Sequence, residues 1–117
     1  MIRRIAPLLV AVGVALCAAS VVQAGPAPQI CPTFTVSGVK LFSETIGHTW
    51  TCNAAKAWIV KLAADKVGPS NVDIPLKNGP HGYHCIATPR KQSHAVDGAC
   101  FTGTKVFPNT GFAWLPS

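Results

Sequence analysis

The sequence predicts an α+β domain in which one helix packs on a small antiparallel sheet and two disulfides hold the parts together. Three observations lead to this class: one amphipathic helical segment, several short apolar segments separated by turn residues, and an even number of cysteines after the N-terminal segment. These cysteines are Cys31, Cys52, Cys85 and Cys100. In a short exported chain such a set is typical of a disulfide framework.

The first 24 residues have the layout of a signal peptide. Two arginines precede an apolar run over residues 5–22, and small residues that a signal peptidase reads lead up to Ala24. We place cleavage after Ala24, so that residues 25–117 form a single secreted domain, outside the cell or at the cell envelope. Two alternatives stay open: an uncleaved membrane anchor, and a lipoprotein acylated on Cys17, which Leu16 disfavours because that position normally holds a small residue.

Residues 25–117 are sufficient for one domain with one modest core. They carry eight Lys and Arg against four Asp and Glu, a net charge of +4. This balance favours anionic partners such as cell-wall polymers. Ordinary solubility is the simpler explanation, because most of the cations are spread singly and only Arg90 and Lys91 are adjacent.

The clearest helix is predicted over residues 52–67. Thr51 is its expected N-cap, and Gly68 followed by Pro69 is expected to end it with a left-handed cap. The apolar face has residues at i, i+3, i+4 and i+7, namely Ala55, Trp58, Ile59 and Leu62. The whole of this face, including Trp58, is expected in the core.

The N-terminal half of the domain is expected to contain one strand before the helix and one after it. Residues 25–30 are expected to form a loose leader, and the polar-apolar alternation of residues 33–39 predicts the first strand. After the helix, the turn-prone residues 69–80 predict a loop with one brief strand around Ile74.

The C-terminal half predicts a hairpin and two further strands. Residues 83–87 and 99–102 are the expected hairpin arms, joined by a polar stretch. Residues 106–107 and 112–115 flank a turn signature at 108–111, which predicts two edge strands.

The hairpin favours one pairing of the cysteines. A centred hairpin sets Cys85 opposite Cys100, which suits a cross-strand bridge, and Cys31 would then pair with Cys52. Four cysteines allow three connectivities, so the other two stay open at this point.

Three short motifs occur at these cysteines. They are Cys52-Asn53-Ala54-Ala55, Gly82-Tyr83-His84-Cys85 and Cys100-Phe101-Thr102-Gly103. Over residues 39–107 the chain resembles a group of small exported actinobacterial, mycobacterial-type proteins that have no established activity. The resemblance implies an α+β domain stapled by disulfides and implies no mechanism. The chain departs from this group in its tail, which adds an aromatic segment through Trp114.

No cofactor, metal site or catalytic residue is predicted. His81 and His84 would point to opposite faces of a strand, and cysteines in disulfides cannot act as nucleophiles. There is no Gly-x-Ser-x-Gly elbow, and the four acids lie far apart in sequence. The interpretation is a protein that is not an enzyme. The alternative is a small extracellular enzyme that uses His84 or His48 with an acid such as Asp97.

The hairpin connection is the predicted contact loop, with Arg90, Lys91 and His94 as its candidate residues. A solvated loop without a partner is the simpler interpretation. We expect no nucleic-acid partner, and membrane contact only through the transient signal peptide. The leading hypothesis is a non-enzymatic recognition or structural domain that binds a cell-wall polymer or another extracellular protein. A peptidase-inhibitor-like binder is a further alternative.

Overall fold

The computed structural model describes residues 28–117, so the predicted signal peptide and its cleavage site lie outside the described residues. The described part contains one helix and six strands. In chain order they are β1 Gln29–Val36, β2 Val39–Ile46, α1 Cys52–Ala63, β3 Ile74–Leu76, β4 His84–Ala87, β5 Gly98–Gly103 and β6 Pro108–Pro116. The strands form one sheet in the order β1-β2-β6-β5-β4-β3, and all neighbours are antiparallel. The predicted α+β class, with a helix on an antiparallel sheet, is confirmed.

Strand β1 lies earlier in the chain than predicted. Gln29 and Ile30 pair with β2, so the expected loose leader is wrong at these two residues. The strand ends at Val36, because Ser37 and Gly38 take positive φ values of 52° and 77° and turn the chain into β2.

Strand β2 could not be predicted from the sequence. Its buried face includes two hydroxyl side chains, Ser43 and Thr45, and its other face includes Glu44. Polar and apolar residues therefore occur on both faces, and the period-two pattern that identifies a half-buried strand is obscured.

Helix α1 begins as predicted and ends earlier. The Oγ1 atom of Thr51 accepts a hydrogen bond from the Ala54 N–H at 3.1 Å, which confirms the N-cap. The predicted core residues Ala55, Ile59 and Leu62 are buried, whereas Trp58 is half-buried at the margin of the core.

The chain leaves α1 at Ala63, four residues before the predicted end, and Gly68 is not left-handed. The segment after the helix instead pairs with the connection between β4 and β5. The Val67 N–H donates to the Ser93 carbonyl at 3.0 Å, and Ser70 and Arg90 exchange two backbone hydrogen bonds. Tertiary pairing has replaced the expected last helical turn.

Strand β6 corrects the predicted C-terminus. Residues 112–115 form a strand as predicted, but this strand extends over residues 108–116 and lies in the middle of the sheet, between β2 and β5, and not at an edge. The strand expected at 106–107 is wrong, because these residues belong to the connection before β6. The expected turn at 108–111 lies inside β6. Gly111 fits there because a Cβ at this position would collide with the Cys100 carbonyl oxygen of β5.

The core lies on the face of the sheet that α1 and residues 88–97 cover. Trp114 of β6 is fully buried there, and its Nε1 donates to the Ala95 carbonyl at 2.8 Å. Ala95 and Val96 from the β4–β5 connection are also buried in this core. We call this side the covered face.

Both preferred disulfides are confirmed. Cys31–Cys52 joins β1 to the first residue of α1, and Cys85–Cys100 joins directly opposed residues of β4 and β5. The predicted hairpin and the brief strand around Ile74 are also present.

Candidate functional site

The side chains on the second face of the sheet are less buried than those on the covered face. Alternation along β2 sends Leu41, Ser43 and Thr45 to the covered face, and Phe42 and Glu44 to the opposite side. Side chains on that opposite side are half-buried or exposed, and the helix of the described residues lies on the other face. We call this side the open face.

Strand register creates a continuous row across the open face, with one residue from each of the six strands. In spatial order from β1 to β3 the row is Ile30, Glu44, Ala113, Ala99, Ile86 and Pro75. Five of the six side chains are apolar, and Glu44 is the charged member. Opposed side chains in neighbouring strands lie close enough to form one surface.

A pocket of about 240 Å³ lies on the open face beside Glu44. Most of its lining is apolar and comes from β2, β5 and β6, as shown by Ile46, Ala99, Phe101, Pro108 and Ala113. Lys105 also lines the pocket, but its Nζ lies 2.6 Å from Oδ2 of Asp73. Among residues 28–117 Glu44 therefore has no ion-pair partner.

The hairpin between β5 and β6 ends in two exposed apolar side chains beside this pocket. Val106 is 76% exposed and Phe107 is 79% exposed. The turn is ordered by Thr104, whose Oγ1 accepts a hydrogen bond from the Phe107 N–H at 2.9 Å. We call Val106 and Phe107 the apolar tip. Ile30 and Leu115 on the open face are exposed as well, by 57% and 43%.

The predicted contact loop needs a correction at Arg90. This side chain is 7% exposed, and its guanidinium donates to the Thr88 carbonyl at 3.1 Å and to the Gly68 carbonyl at 2.6 Å. Arg90 therefore joins two covering segments and is not a surface cation. Lys91 is exposed as expected. His94 is half-buried, and its backbone forms an isolated antiparallel β-bridge with Lys66.

The residues of the enzyme hypothesis are not brought together. His84 pairs with Phe101 at one end of the β4–β5 ladder, whereas Asp97 contacts Thr88 beyond its other end. His48 lies in the exposed loop after β2. The described residues contain no group of three or more His, Cys, Asp or Glu side chains that could hold a metal ion.

The open face could have been found from the sequence only if β2 had been recognised. Without that strand, Glu44 is one of four acids that lie far apart in sequence. No family model, curated protein or solved structure matches the chain. The described part also contains no helix that is long and apolar enough to cross a membrane. The geometry of the open face is therefore the basis for inferring a function.

Proposed function

We propose that this chain is an exported, non-enzymatic recognition domain, and that its open face is the contact surface. It acts at the cell envelope or outside the cell. The proposed occupant is a segment of another extracellular protein in which a lysine or arginine stands between aliphatic side chains. The observation that carries this proposal is a row of apolar side chains across all six strands, interrupted by the carboxylate of Glu44.

Exposed hydrophobic side chains on the open face and at the apolar tip support a contact surface. Contiguous apolar surface that a small protein leaves exposed commonly marks an interaction site. Here the open face includes Ile30 and Leu115, and the apolar tip adds Val106 and Phe107 next to the pocket. These side chains would lose water contact when an aliphatic segment lies across the strands.

Glu44 supports a cation in the partner. A partner that covers this carboxylate removes its water, which is unfavourable unless the partner supplies a hydrogen-bonding cation. A lysine or arginine supplies that cation, and its aliphatic stem can lie on Ala113 and Ala99 on the way to the carboxylate. An apolar surface with one central anion therefore selects an apolar segment with one cation.

Export is part of the same proposal. Its support is the pair of disulfides, which form and persist in oxidising compartments. The matched cysteine motifs around Cys52, Cys85 and Cys100 also support a relationship with the small exported actinobacterial proteins described above. Intact-mass analysis of host medium tests export. We expect a species that begins at Gly25 and takes up alkyl groups only after reduction; a membrane-bound species with its N-terminal segment intact would overturn it.

A peptide titration tests the contact surface. Isotope-labelled, oxidised protein is titrated with a blocked Leu-Val-Lys-Val-Leu peptide and with the matched Leu-Val-Gln-Val-Leu peptide, and amide shifts are followed by NMR. We expect saturable shifts on β2, β5 and β6, and roughly tenfold weaker binding of the glutamine peptide. Glu44→Gln should remove this difference between the peptides. Asp65→Asn, which changes an acid two residues after the end of α1, should keep it.

The same titration contains the outcomes that contradict the proposal. Equal binding of both peptides to the unmodified protein would exclude a role for Glu44. Shifts confined to residues 89–94 would return the contact surface to the β4–β5 connection. Open-face shifts with phosphatidylcholine vesicles, and none with either peptide, would assign the open face to a lipid surface instead of a protein partner.

A further inference from the structure

Small residues form the floor of the pocket beside Glu44. Ile46, Gly111 and Phe101 are register partners, so they form a second row on the open face, across β2, β6 and β5. This row lies next to the first one, in which Ala113 and Ala99 are the central members. Because Gly111 has no side chain, the middle of the second row is empty, and the pocket lies over it.

Three larger side chains lie around this floor. Ile46 and Phe101 are the two ends of the second row, and Glu44 is two residues before Ile46 on the same face. Strands in a sheet lie about 4.8 Å apart, and residues on one face of a strand repeat about every 6.8 Å. The Cα atoms of Phe101 and Glu44 are therefore roughly 12 Å apart, diagonally across the pocket. This spacing leaves room for a small cationic group between the ring and the carboxylate.

The ring of Phe101 is supported on the side away from the pocket. Phe101 pairs with His84 of β4, and their ring centroids lie 6.1 Å apart. The pocket lies on the other side of Phe101, toward β6 and β2. Phe101 is half-buried, so part of its surface meets solvent. A group that enters the pocket therefore meets an aromatic ring that a neighbouring strand already holds in place.

The cation that the chain itself places at the pocket is paired with another residue. Lys105 lines the pocket, but its Nζ lies 2.6 Å from Oδ2 of Asp73. Glu44 has no ion-pair partner among residues 28–117. A cation of the partner can therefore reach the Glu44 carboxylate without displacing an ion pair.

A carboxylate on one side of a pocket and an aromatic ring on the other form a site that favours a planar cation. A guanidinium group is planar, donates two parallel hydrogen bonds to a carboxylate and stacks on aromatic rings. The ammonium group of lysine is a compact and strongly hydrated point charge, so it gains less from the ring and loses more when water is removed. The two basic side chains should therefore bind this pocket with different affinity.

We infer that the cation of the partner is an arginine, and that Phe101 is the residue that selects it over lysine. The inference rests on the proposed function, because it assigns the cation that Glu44 accepts. The aliphatic stem of the arginine lies on Ala113 and Ala99, and its guanidinium lies between the Glu44 carboxylate and the Phe101 ring.

A comparison of two blocked peptides tests the inference. Isotope-labelled, oxidised protein is titrated with Leu-Val-Arg-Val-Leu and with Leu-Val-Lys-Val-Leu, and amide shifts are followed by NMR. We expect the arginine peptide to bind roughly fivefold tighter, since stacking on the ring adds to the charge pair that both peptides form. The δ-methylene protons of the peptide arginine should shift upfield on binding, because they enter the ring current of Phe101.

Variants at Phe101 separate the effect of the ring from that of apolar contact. Phe101→Leu keeps an apolar side chain and removes the ring, so the preference for arginine should fall below about twofold and the upfield shift should disappear. Phe101→Tyr keeps the ring and should keep both. Phe107→Leu is the matched control, because Phe107 is an exposed aromatic residue of the apolar tip and does not line the pocket. It should leave the preference unchanged, and the amide spectrum of each variant shows that it is folded.

The outcomes for the inference and for the proposed function differ. Equal affinity for the arginine and lysine peptides, with both tighter than the glutamine peptide, would overturn the inference and leave the proposed function standing. A preference for arginine that is unchanged in Phe101→Leu would show that the ring is not its source, which also overturns the inference. Equal affinity for all three peptides would overturn the proposed function, and the inference with it.

Discussion

Ser43 and Glu44 are neighbours on β2, but their side chains lie on opposite faces of the sheet, one covered and one open. Ser43 is turned toward α1 and is 2% exposed, whereas Glu44 is half-buried on the open face. The covered face contains Trp114 and Phe112, and the open face contains Ala113 and Leu115 from the same strand. The comparison indicates that stability comes mainly from one face, which leaves the other free for contact with a partner.

The largest expected difference between the faces is at Trp114 and Leu115. Trp114→Ala removes a fully buried side chain and leaves the Ala95 carbonyl without its donor, so we expect a loss of about 3–5 kcal/mol in the free energy of unfolding. Leu115→Ala, on a side chain that is 43% exposed, should lower it by less than about 1 kcal/mol. Urea denaturation measures both values, and similar losses would contradict the division into two faces.

A second difference concerns the cations of the β4–β5 connection. Arg90→Met leaves the carbonyl oxygens of Thr88 and Gly68 without their donors, and we expect it to lower the free energy of unfolding by about 2 kcal/mol. Lys91→Met, at the next and exposed position, should change it by less than about 0.5 kcal/mol. If the two variants unfolded at the same urea concentration, Arg90 would not join the covering segments.

The covered face also contains a residue whose replacement should increase stability. Thr45 is 1% exposed, and its Oγ1 has no hydrogen-bond partner among the described residues. Thr45→Val keeps the shape of the side chain and removes the unsatisfied hydroxyl. We therefore expect the free energy of unfolding to increase by about 1 kcal/mol, which raises the midpoint of urea denaturation. Thr110→Val is a control, since the Thr110 Oγ1 donates to the Ile46 carbonyl at 3.2 Å and its loss should not stabilise. A lower midpoint for Thr45→Val would show that its hydroxyl is satisfied.

The smallest effect on stability is expected at the apolar tip. Phe107→Ser should change the free energy of unfolding by less than about 0.5 kcal/mol, because the side chain is 79% exposed. The same variant should weaken binding of the lysine peptide several-fold if the apolar tip contacts the partner. Unchanged peptide affinity would remove the apolar tip from the contact surface and leave the pocket beside Glu44.

Local signals allowed much of the fold to be predicted. The Thr51 cap, the apolar face of α1 and the symmetric placing of Cys85 and Cys100 each depend on residues close in sequence or on simple pairing. Strand β6 was misread because its Pro-Asn-Thr-Gly segment has turn chemistry, and pairing on both sides overrides that preference.

The candidate site could not be predicted from the same signals. Glu44 becomes notable only once the register places it in a row with Ile30 and Ala113, and register depends on long-range pairing. The burial of Arg90 could not be predicted either, because one of its two carbonyl acceptors, Gly68, lies 22 residues earlier in the chain.

A charge exchange between Glu44 and the peptide tests the central claim most directly. The lysine peptide and a matched Leu-Val-Glu-Val-Leu peptide are titrated against the unmodified protein and against Glu44→Lys. We predict that the unmodified protein prefers the lysine peptide and that Glu44→Lys prefers the glutamate peptide, each by roughly tenfold or more. If Glu44→Lys bound the lysine peptide as tightly as the unmodified protein does, the open face would not be the recognition surface proposed here.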